Sequence, residues 1–81
     1  MPMDLSIIIL NFRTKDLLKE CLRGIRLVAP KIAIDVIVVD NASGDGSAEM
    51  VLAEFPEVRL IRAERNLGYA GGNNLGLKAA G

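Results

Sequence analysis

The chain has 81 residues, with ten basic and ten acidic side chains, one cysteine and no histidine. This length allows one small domain or part of a larger one, and the balanced charge gives no support for electrostatic binding to nucleic acid or to an anionic membrane. A single cysteine excludes an internal disulfide, and the lack of histidine disfavours a zinc site.

The first predicted elements are a strand and a helix. Residues 5–10, LSIIIL, form a nearly continuous apolar run, which is typical of a strand of a parallel sheet that is covered on both faces. After the polar segment NFRTKD, apolar residues three and four apart predict an amphipathic helix from Asp16 to about Leu27. Thr14 is its predicted N-cap, Pro30 stops any continuation, and Cys21 is predicted to be a core side chain.

The same alternation continues to the end of the chain. Residues 35–39 predict a second buried strand, rich in β-branched side chains. Ser47 is predicted to cap a short helix that Pro56 stops, and residues 58–61, VRLI, predict a third strand. A polar, glycine-rich segment then leads to a final helix from about Gly72 to Ala80. The βαβαβα order predicts an α/β fold, a Rossmann-like parallel sheet with right-handed crossovers.

Ligands of open parallel sheets bind outside the carboxyl ends of the strands. Residues 11–15, 40–46 and 64–74 are expected to meet there. The first strand-to-helix turn has no glycine, which disfavours a dinucleotide-binding fingerprint, and no P-loop motif occurs. Asp40 can accept hydrogen bonds from a base N–H or a ribose hydroxyl. The alternative is that Asp40 caps the following turn and that Asn41 adopts a left-handed conformation.

Three motifs resemble the nucleotide-sugar-binding half of family 2 glycosyltransferases, which have the GT-A fold. They are LSIIILNF (5–12), DNASGDGS (40–47) and ERNLGYAGGNNLG (64–76), and the last two look most like the rhamnosyltransferase-like branch. The resemblance covers residues 5–81. It implies that residues 1–81 are the N-terminal nucleotide-sugar-binding part of a glycosyltransferase domain, with three layers, strand order 3-2-1 and a fourth strand beside the first.

The resemblance implies a set of nucleotide-binding residues. The backbone at Leu10 and Asn11 and the ring of Phe12 would border the base. Asp40 would accept a hydrogen bond from the imide N–H of uracil or thymine, with Asn41 beside it. Gly68 would pass close to the nucleotide, and Asn74 would face the pocket or brace its loop. The full set is Leu10, Asn11, Phe12, Asp40, Asn41, Gly68 and Asn74.

Other positions of the motifs have a different expected role. Asp45 and Ser47 are predicted to order the loop and the start of the helix. Arg13 stands where many relatives have asparagine; it either helps to hold a phosphate or is solvated, and the second interpretation is favoured. Many relatives also have an arginine in the glycine-rich stretch, where this chain has Gly68 and Asn73.

The implied reaction is transfer of a sugar from a UDP- or dTDP-sugar to a hydroxyl of a saccharide or lipid-linked acceptor, with inversion. In the family, an Asp-x-Asp motif that holds Mn²⁺ or Mg²⁺ and a carboxylate base come later than the position of Gly81. We therefore predict no catalytic residue and no metal ligand in this chain, and an ion only in the full-length protein. The alternative function is a non-catalytic nucleotide-binding or interaction module.

Two further expectations concern the surroundings of the chain. The first strand, residues 5–10, is predicted to be an exposed sheet edge through which two copies of the chain pair. The apolar start is too short to span a membrane and lacks the basic residues of a signal peptide. The cytoplasm is the expected location, with the inner face of the membrane as the alternative for the full-length protein.

Overall fold

The predicted alternation of strands and helices is present along the chain. A computed structural model describes residues 5–28 and 34–80, apart from the side chain of Tyr69. The elements are β1 (Leu5–Asn11), α1 (Lys15–Val28), β2 (Ile34–Asp40), α2 (Ser47–Glu54), β3 (Arg59–Arg62) and α3 (Gly68–Ala80). Pro30 lies outside the described residues. None of the described helices is long and apolar enough to cross a membrane.

The three strands form one parallel sheet in the order β1-β2-β3, with β2 in the centre. Written from the opposite edge, this order reads 3-2-1, and a fourth strand beside β1 stays a prediction. The register pairs Leu5 with Ile34 at one end and Asn11 with Asp40 at the other. Asp40 is also paired with Arg62 of β3. Three polar residues from three strands therefore lie side by side at the carboxyl edge of the sheet.

β2 is buried on both faces because two layers of helices cover it. Val36 and Val38 pack with α1 and α2 in a core cluster whose other members are Leu18, Leu22, Met50, Val51 and Phe55. Ile37 and Val39, which point the other way, are fully buried on the side of α3. Burying each of these side chains stabilises the fold by about 1.5–3 kcal/mol. β1 is only partly buried over most of its length because it lies at the edge.

α3 approaches the sheet closely through two glycines. A Cβ at Gly72 would lie 2.2 Å from Cδ1 of Leu10, and a Cβ at Gly76 would lie 2.4 Å from Cγ2 of Ile8. The helix starts at Gly68, whereas the sequence predicted a start near Gly72. Glycine has a low helix propensity, which suggests a loop, but packing against the sheet stabilises this helix instead.

We expect Gly76→Ala to lower the free energy of unfolding of the complete gene product by about 1–3 kcal/mol. The new methyl group would displace Ile8, whose β-branched side chain has little freedom to move. Gly24→Ala is the matched control, because a Cβ there meets no described atom beyond its own helix within 4 Å. The control should stabilise α1 by up to about 1 kcal/mol. Equal denaturation midpoints for the two variants would contradict this packing.

The prediction that Cys21 belongs to the core is wrong. Leu18 and Leu22 are buried on α1, whereas Cys21 is exposed and Leu17 is 72% exposed. Two apolar stripes run along this helix about 100° apart, and both have helical spacing. Spacing alone therefore does not tell which stripe meets the sheet.

Candidate functional site

Two polar side chains are buried at the carboxyl edge of the sheet. Asn11 ends β1 and Asp40 ends β2, and the parallel register places them opposite each other. Asn11 is 1% exposed and Asp40 is 6% exposed. Buried polar groups cost free energy unless they are hydrogen-bonded, so their partners determine what this edge can do.

Asn11, Asp40 and Ser43 form a closed triangle of hydrogen bonds. Nδ2 of Asn11 donates to Oδ1 of Asp40 over 3.0 Å and to Oγ of Ser43 over 3.2 Å. Oγ of Ser43 donates to the same Oδ1 over 2.5 Å. The hydroxyl also lies 3.5 Å from the carbonyl oxygen of Asn11, a longer alternative acceptor. Both strong donors thus converge on one oxygen of the carboxylate.

Residues of the turn after β1 hold the side chains of this triangle in place through further hydrogen bonds. Oγ1 of Thr14 donates to Oδ1 of Asn11 over 2.6 Å, which determines which end of that amide faces Asp40. The backbone N–H of Arg13 donates to Oγ of Ser43 over 2.9 Å. The predicted N-cap, Thr14, directly precedes the first residue of α1, and its carbonyl accepts a bond from the N–H of Leu18. Its hydroxyl, however, is used for Asn11 and not for the helix.

The other oxygen of Asp40, Oδ2, lies outside this triangle of hydrogen bonds. Among the described residues, the hydrogen bonds of this carboxylate involve Oδ1 alone. No buried side-chain nitrogen or oxygen of the described chain lacks a partner. Asp40 as a whole keeps 6% of its surface exposed. It is an acceptor at the mouth of a polar, largely buried edge.

Two residues with positive φ form the turns on either side of this edge. Arg13 has φ 54° and Ala42 has φ 60°, a region that side chains other than glycine occupy at a cost of about 1–3 kcal/mol. The N–H of Asn41 donates to the carbonyl oxygen of Asn11 over 2.8 Å, which ties the two turns together. The alternative interpretation placed Asn41 in the left-handed conformation, but the residue that adopts it is Ala42.

Asn41 attaches the start of α3 to the end of β2. Its side chain is 2% exposed; Oδ1 accepts from the N–H of Leu67 over 2.9 Å and Nδ2 donates to the carbonyl oxygen of Gly68 over 3.1 Å. The side-chain amide of Asn41 thus satisfies one backbone N–H and one backbone carbonyl, as the backbone of a neighbouring strand would. This contact holds α3 against β2, and the nucleotide-binding role that the family resemblance implied for Asn41 stays a prediction.

The remaining predicted site residues differ in their distance from Asp40. Leu10 points toward Gly72 of α3 on the other face of the sheet. Phe12 is 40% exposed beside this edge, and the guanidinium carbon of Arg13 lies 5.0 Å from its ring centroid. Gly68 begins α3 and contacts Asn41. Asn74 is exposed further along α3 and makes no hydrogen bond to the other described site residues.

Arg13 is exposed but held in place. Its Nε donates to the carbonyl oxygen of Ser43 over 3.3 Å while the guanidinium lies over Phe12. It borders an open depression at the start of α1, whose lining residues are Arg13, Thr14, Lys15, Asp16, Leu17 and Asp45. A fixed cation beside a helix N-terminus is compatible with an anionic group in this depression. Both interpretations of Arg13, solvated or phosphate-binding, stay open.

Asp45 orders the loop before α2, as predicted. It accepts hydrogen bonds from the N–H and hydroxyl of Ser47 and from the N–H of Lys15. The predicted cap, Ser47, is instead the first residue of α2, and Gly46 is the N-cap in a left-handed conformation with φ 87°. The hydroxyl of Ser47 is the main cause that lowers the pKa of Asp45 from its ordinary value of 3.8, with backbone N–H groups adding to it.

We expect this carboxylate to make stability depend on pH. Since the pKa of Asp45 is lower in the folded chain, its contribution is fully present above the ordinary value of 3.8 and is lost as the pH falls through the folded pKa. The loss of melting temperature in Asp45→Asn should therefore be larger at about pH 6 than at about pH 3. Glu64→Gln, which removes an exposed carboxylate, is the control for net charge. The same difference at both pH values would contradict this role.

The described residues do not offer a metal site. Within residues 5–28 and 34–80, no group of three or more cysteine, aspartate or glutamate side chains is placed to hold an ion. The Mn²⁺ or Mg²⁺ that the family resemblance implies therefore finds no fitting set of ligands in this part of the chain.

Comparison with known proteins gives the family. The family model described as glycosyl transferase family 2 matches residues 6–81. The chain belongs to glycosyl transferase family 2. Its fold, three parallel strands between two helical layers, is consistent with the N-terminal part of a GT-A domain of this family.

Two curated relatives support membership of glycosyl transferase family 2. The chain is 31% identical over 78 residues to the succinoglycan biosynthesis protein ExoO of Rhizobium meliloti, covering 95% of this chain and 22% of that protein. It is 33% identical over 75 residues to the low-salt glycan biosynthesis hexosyltransferase Agl10 of Haloferax volcanii, covering 93% and 22%. The chain thus spans about a fifth of the length of these relatives.

The sequence singled out Asp40, whose role in this glycosyl transferase family 2 chain stays a prediction, but it missed the residues that hold the Asp40 side chain. Ser43 received no role, although a serine three residues after an aspartate at a strand end is a signal for a local side-chain bond. Thr14 was assigned to the helix, and Asn11 was expected to act through its backbone. The structure gives these three side chains one shared function, which is to fix one oxygen of Asp40.

Proposed function

We propose that the residues around Asp40, at the carboxyl edge of the sheet, form the base-binding part of a glycosyltransferase that uses a UDP- or dTDP-sugar. The enzyme would transfer the sugar with inversion to a hydroxyl of a saccharide or lipid-linked acceptor. One observation carries the proposal. Asp40 is an acceptor at the carboxyl edge of a parallel sheet, with one oxygen held by Asn11 and Ser43 and the other without a hydrogen bond to the described residues. Membership of glycosyl transferase family 2 supports the reaction class.

Uracil and thymine fit this acceptor. Each presents one imide N–H between two carbonyl groups, and Oδ2 of Asp40 accepts that N–H. A hydrogen bond to an ionised carboxylate is about twice as strong as one between neutral groups, and the low exposure of Asp40 keeps water from competing. The exposed ring of Phe12 offers an apolar surface next to the same edge.

Binding, and not bond cleavage, is the role of the described residues. A divalent ion beside the diphosphate and a carboxylate that deprotonates the acceptor hydroxyl would come from elsewhere in a longer protein. The motifs at residues 40–47 and 64–76 are the basis for proposing the rhamnosyltransferase-like branch. The cytoplasm, or the inner face of the membrane, is the proposed place of the reaction, since nucleotide sugars are the donors.

Titration calorimetry with UDP and N3-methyl-UDP tests the role of Asp40 in the complete gene product. The methyl group replaces the hydrogen that Oδ2 would accept, so we expect N3-methyl-UDP to bind at least about tenfold more weakly. Release of UDP or dTDP from a panel of donor sugars then tests the reaction. Equal affinities for UDP and N3-methyl-UDP would contradict the assignment of Asp40, and failure of every UDP- and dTDP-sugar would contradict the donor class.

A further inference from the structure

We infer that Ser43 and Asn11 are positioning residues that make the site select a base with a single N–H donor and reject guanine. The inference rests on the proposed function, because it concerns the base that Asp40 accepts. It adds a mechanism of base specificity, which depends on the two hydrogen bonds that Oδ1 of Asp40 accepts from Asn11 and Ser43. The residues that carry it are the triangle at the end of β1 and β2.

Oδ1 of Asp40 has no accepting capacity left. A carboxylate oxygen has about two lone-pair sites, and the donors at 3.0 Å from Asn11 and 2.5 Å from Ser43 occupy both. Oδ2 therefore acts alone toward a ligand. The carboxylate of Asp40 therefore accepts hydrogen bonds from a ligand through one oxygen only, whereas a carboxylate in water can accept through both oxygens.

The direction of the hydrogen bonds is fixed as well. Oγ of Ser43 receives the N–H of Arg13 and one N–H of Asn11, so its own hydrogen points to Asp40. The hydroxyl of Thr14 donates to Oδ1 of Asn11, so the NH₂ end of that amide faces the triangle. Neither donor can turn into an acceptor without breaking another bond.

This arrangement distinguishes uracil and thymine from guanine. Guanine presents two adjacent donors, N1–H and the N2 amino group, and a carboxylate satisfies them with both oxygens. Here the second donor of guanine would face Oδ1, whose lone pairs are already used, and would be left buried without a partner. Sites that leave a buried polar group unpaired discriminate strongly against the ligand that brings it. Uracil brings only one donor and leaves no such group.

Ser43→Ala tests the inference in the complete gene product, with UDP and GDP as probes in titration calorimetry. Losing the hydroxyl frees one lone pair of Oδ1, so we expect the ratio of UDP to GDP affinity to fall at least about tenfold. Ser43→Thr retains a hydroxyl and should restore the wild-type ratio. Ser47→Ala is the matched control, because Ser47 is an equally buried serine that bonds Asp45 and not Asp40.

The results separate this inference from the proposed function. If UDP and GDP affinities of Ser43→Ala fall together and their ratio stays constant, Ser43 only stabilises the loop and the inference is wrong. If the ratio changes equally in Ser47→Ala, the effect is a general loosening of the site, which also overturns it. If the wild type binds UDP and N3-methyl-UDP equally, the assignment of Asp40 fails and the inference fails with it.

Discussion

Asp40→Asn should turn the base preference of the site from uracil to cytosine. Asn11 and Ser43 donate to the position of Oδ1, so they would hold the carbonyl oxygen of the new amide there. Its NH₂ group would then replace Oδ2 and face the ligand as a donor. The imide N–H of uracil would meet another donor, whereas N3 of cytosine is an acceptor and would pair with it.

The expected loss of UDP affinity is about ten- to a hundredfold, since a mismatched buried pair costs roughly 1–3 kcal/mol. CDP should bind the variant more tightly than UDP does, as measured by titration calorimetry of the complete gene product. Asp35→Asn is the matched control: it changes the same residue type at the opposite end of β2, where Asp35 pairs with Arg59. Unchanged UDP affinity in Asp40→Asn would show that this carboxylate does not contact the base.

The isolated chain of residues 1–81 should associate as a two-fold dimer through β1. Among the described residues, β1 pairs only with β2, so one row of its backbone N–H and C=O groups has no strand beside it. Its central isoleucines are only partly buried, and an apolar edge strand is a template for another chain. Sedimentation at micromolar concentration should give twice the mass of one chain, and this dimer should have no transferase activity.

Charge on the edge strand should prevent this pairing. Leu5 and Ser6 are exposed on β1, so the double variant Leu5→Lys and Ser6→Lys leaves the core intact and should be monomeric. The double variant Leu52→Lys and Leu77→Lys is the control, because it adds the same charge on exposed positions of α2 and α3. A monomeric wild-type chain, or a control variant that dissociates as well, would refute the edge as the contact.

The fold could be predicted largely because the apolar residues of its strands and of its helices follow different spacings along the sequence. β2 is a continuous apolar run, and the structure buries it between two layers as expected. The start of α3 was predicted too late because glycine propensity is a local property, whereas the contacts of Gly72 and Gly76 with β1 are not local. Cys21 was misplaced because α1 has two apolar stripes with the same spacing.

The site could be predicted only in part, for a different reason. The position of Asp40 follows from the strand end and from the motif. The partners of Asp40 depend on two turns whose shape is set by positive φ at Arg13 and Ala42, residue types that give no signal for this conformation. Only with these turns in place do Thr14 and Ser43 reach Asn11 and Asp40, so the hydrogen-bond network could not be predicted from spacing.

The amide of Asn41 has a consequence for hydrogen exchange at the start of α3. The N–H of Leu67 finds its acceptor on a buried side chain 26 residues earlier in the chain, not within its own loop. Its hydrogen can exchange with solvent only when the start of α3 separates from the end of β2. The same separation removes the contact of Gly68 with Asn41, next to Asp40. We expect the exchange rate of this one amide hydrogen to report how often the contact between Asn41 and the start of α3 breaks.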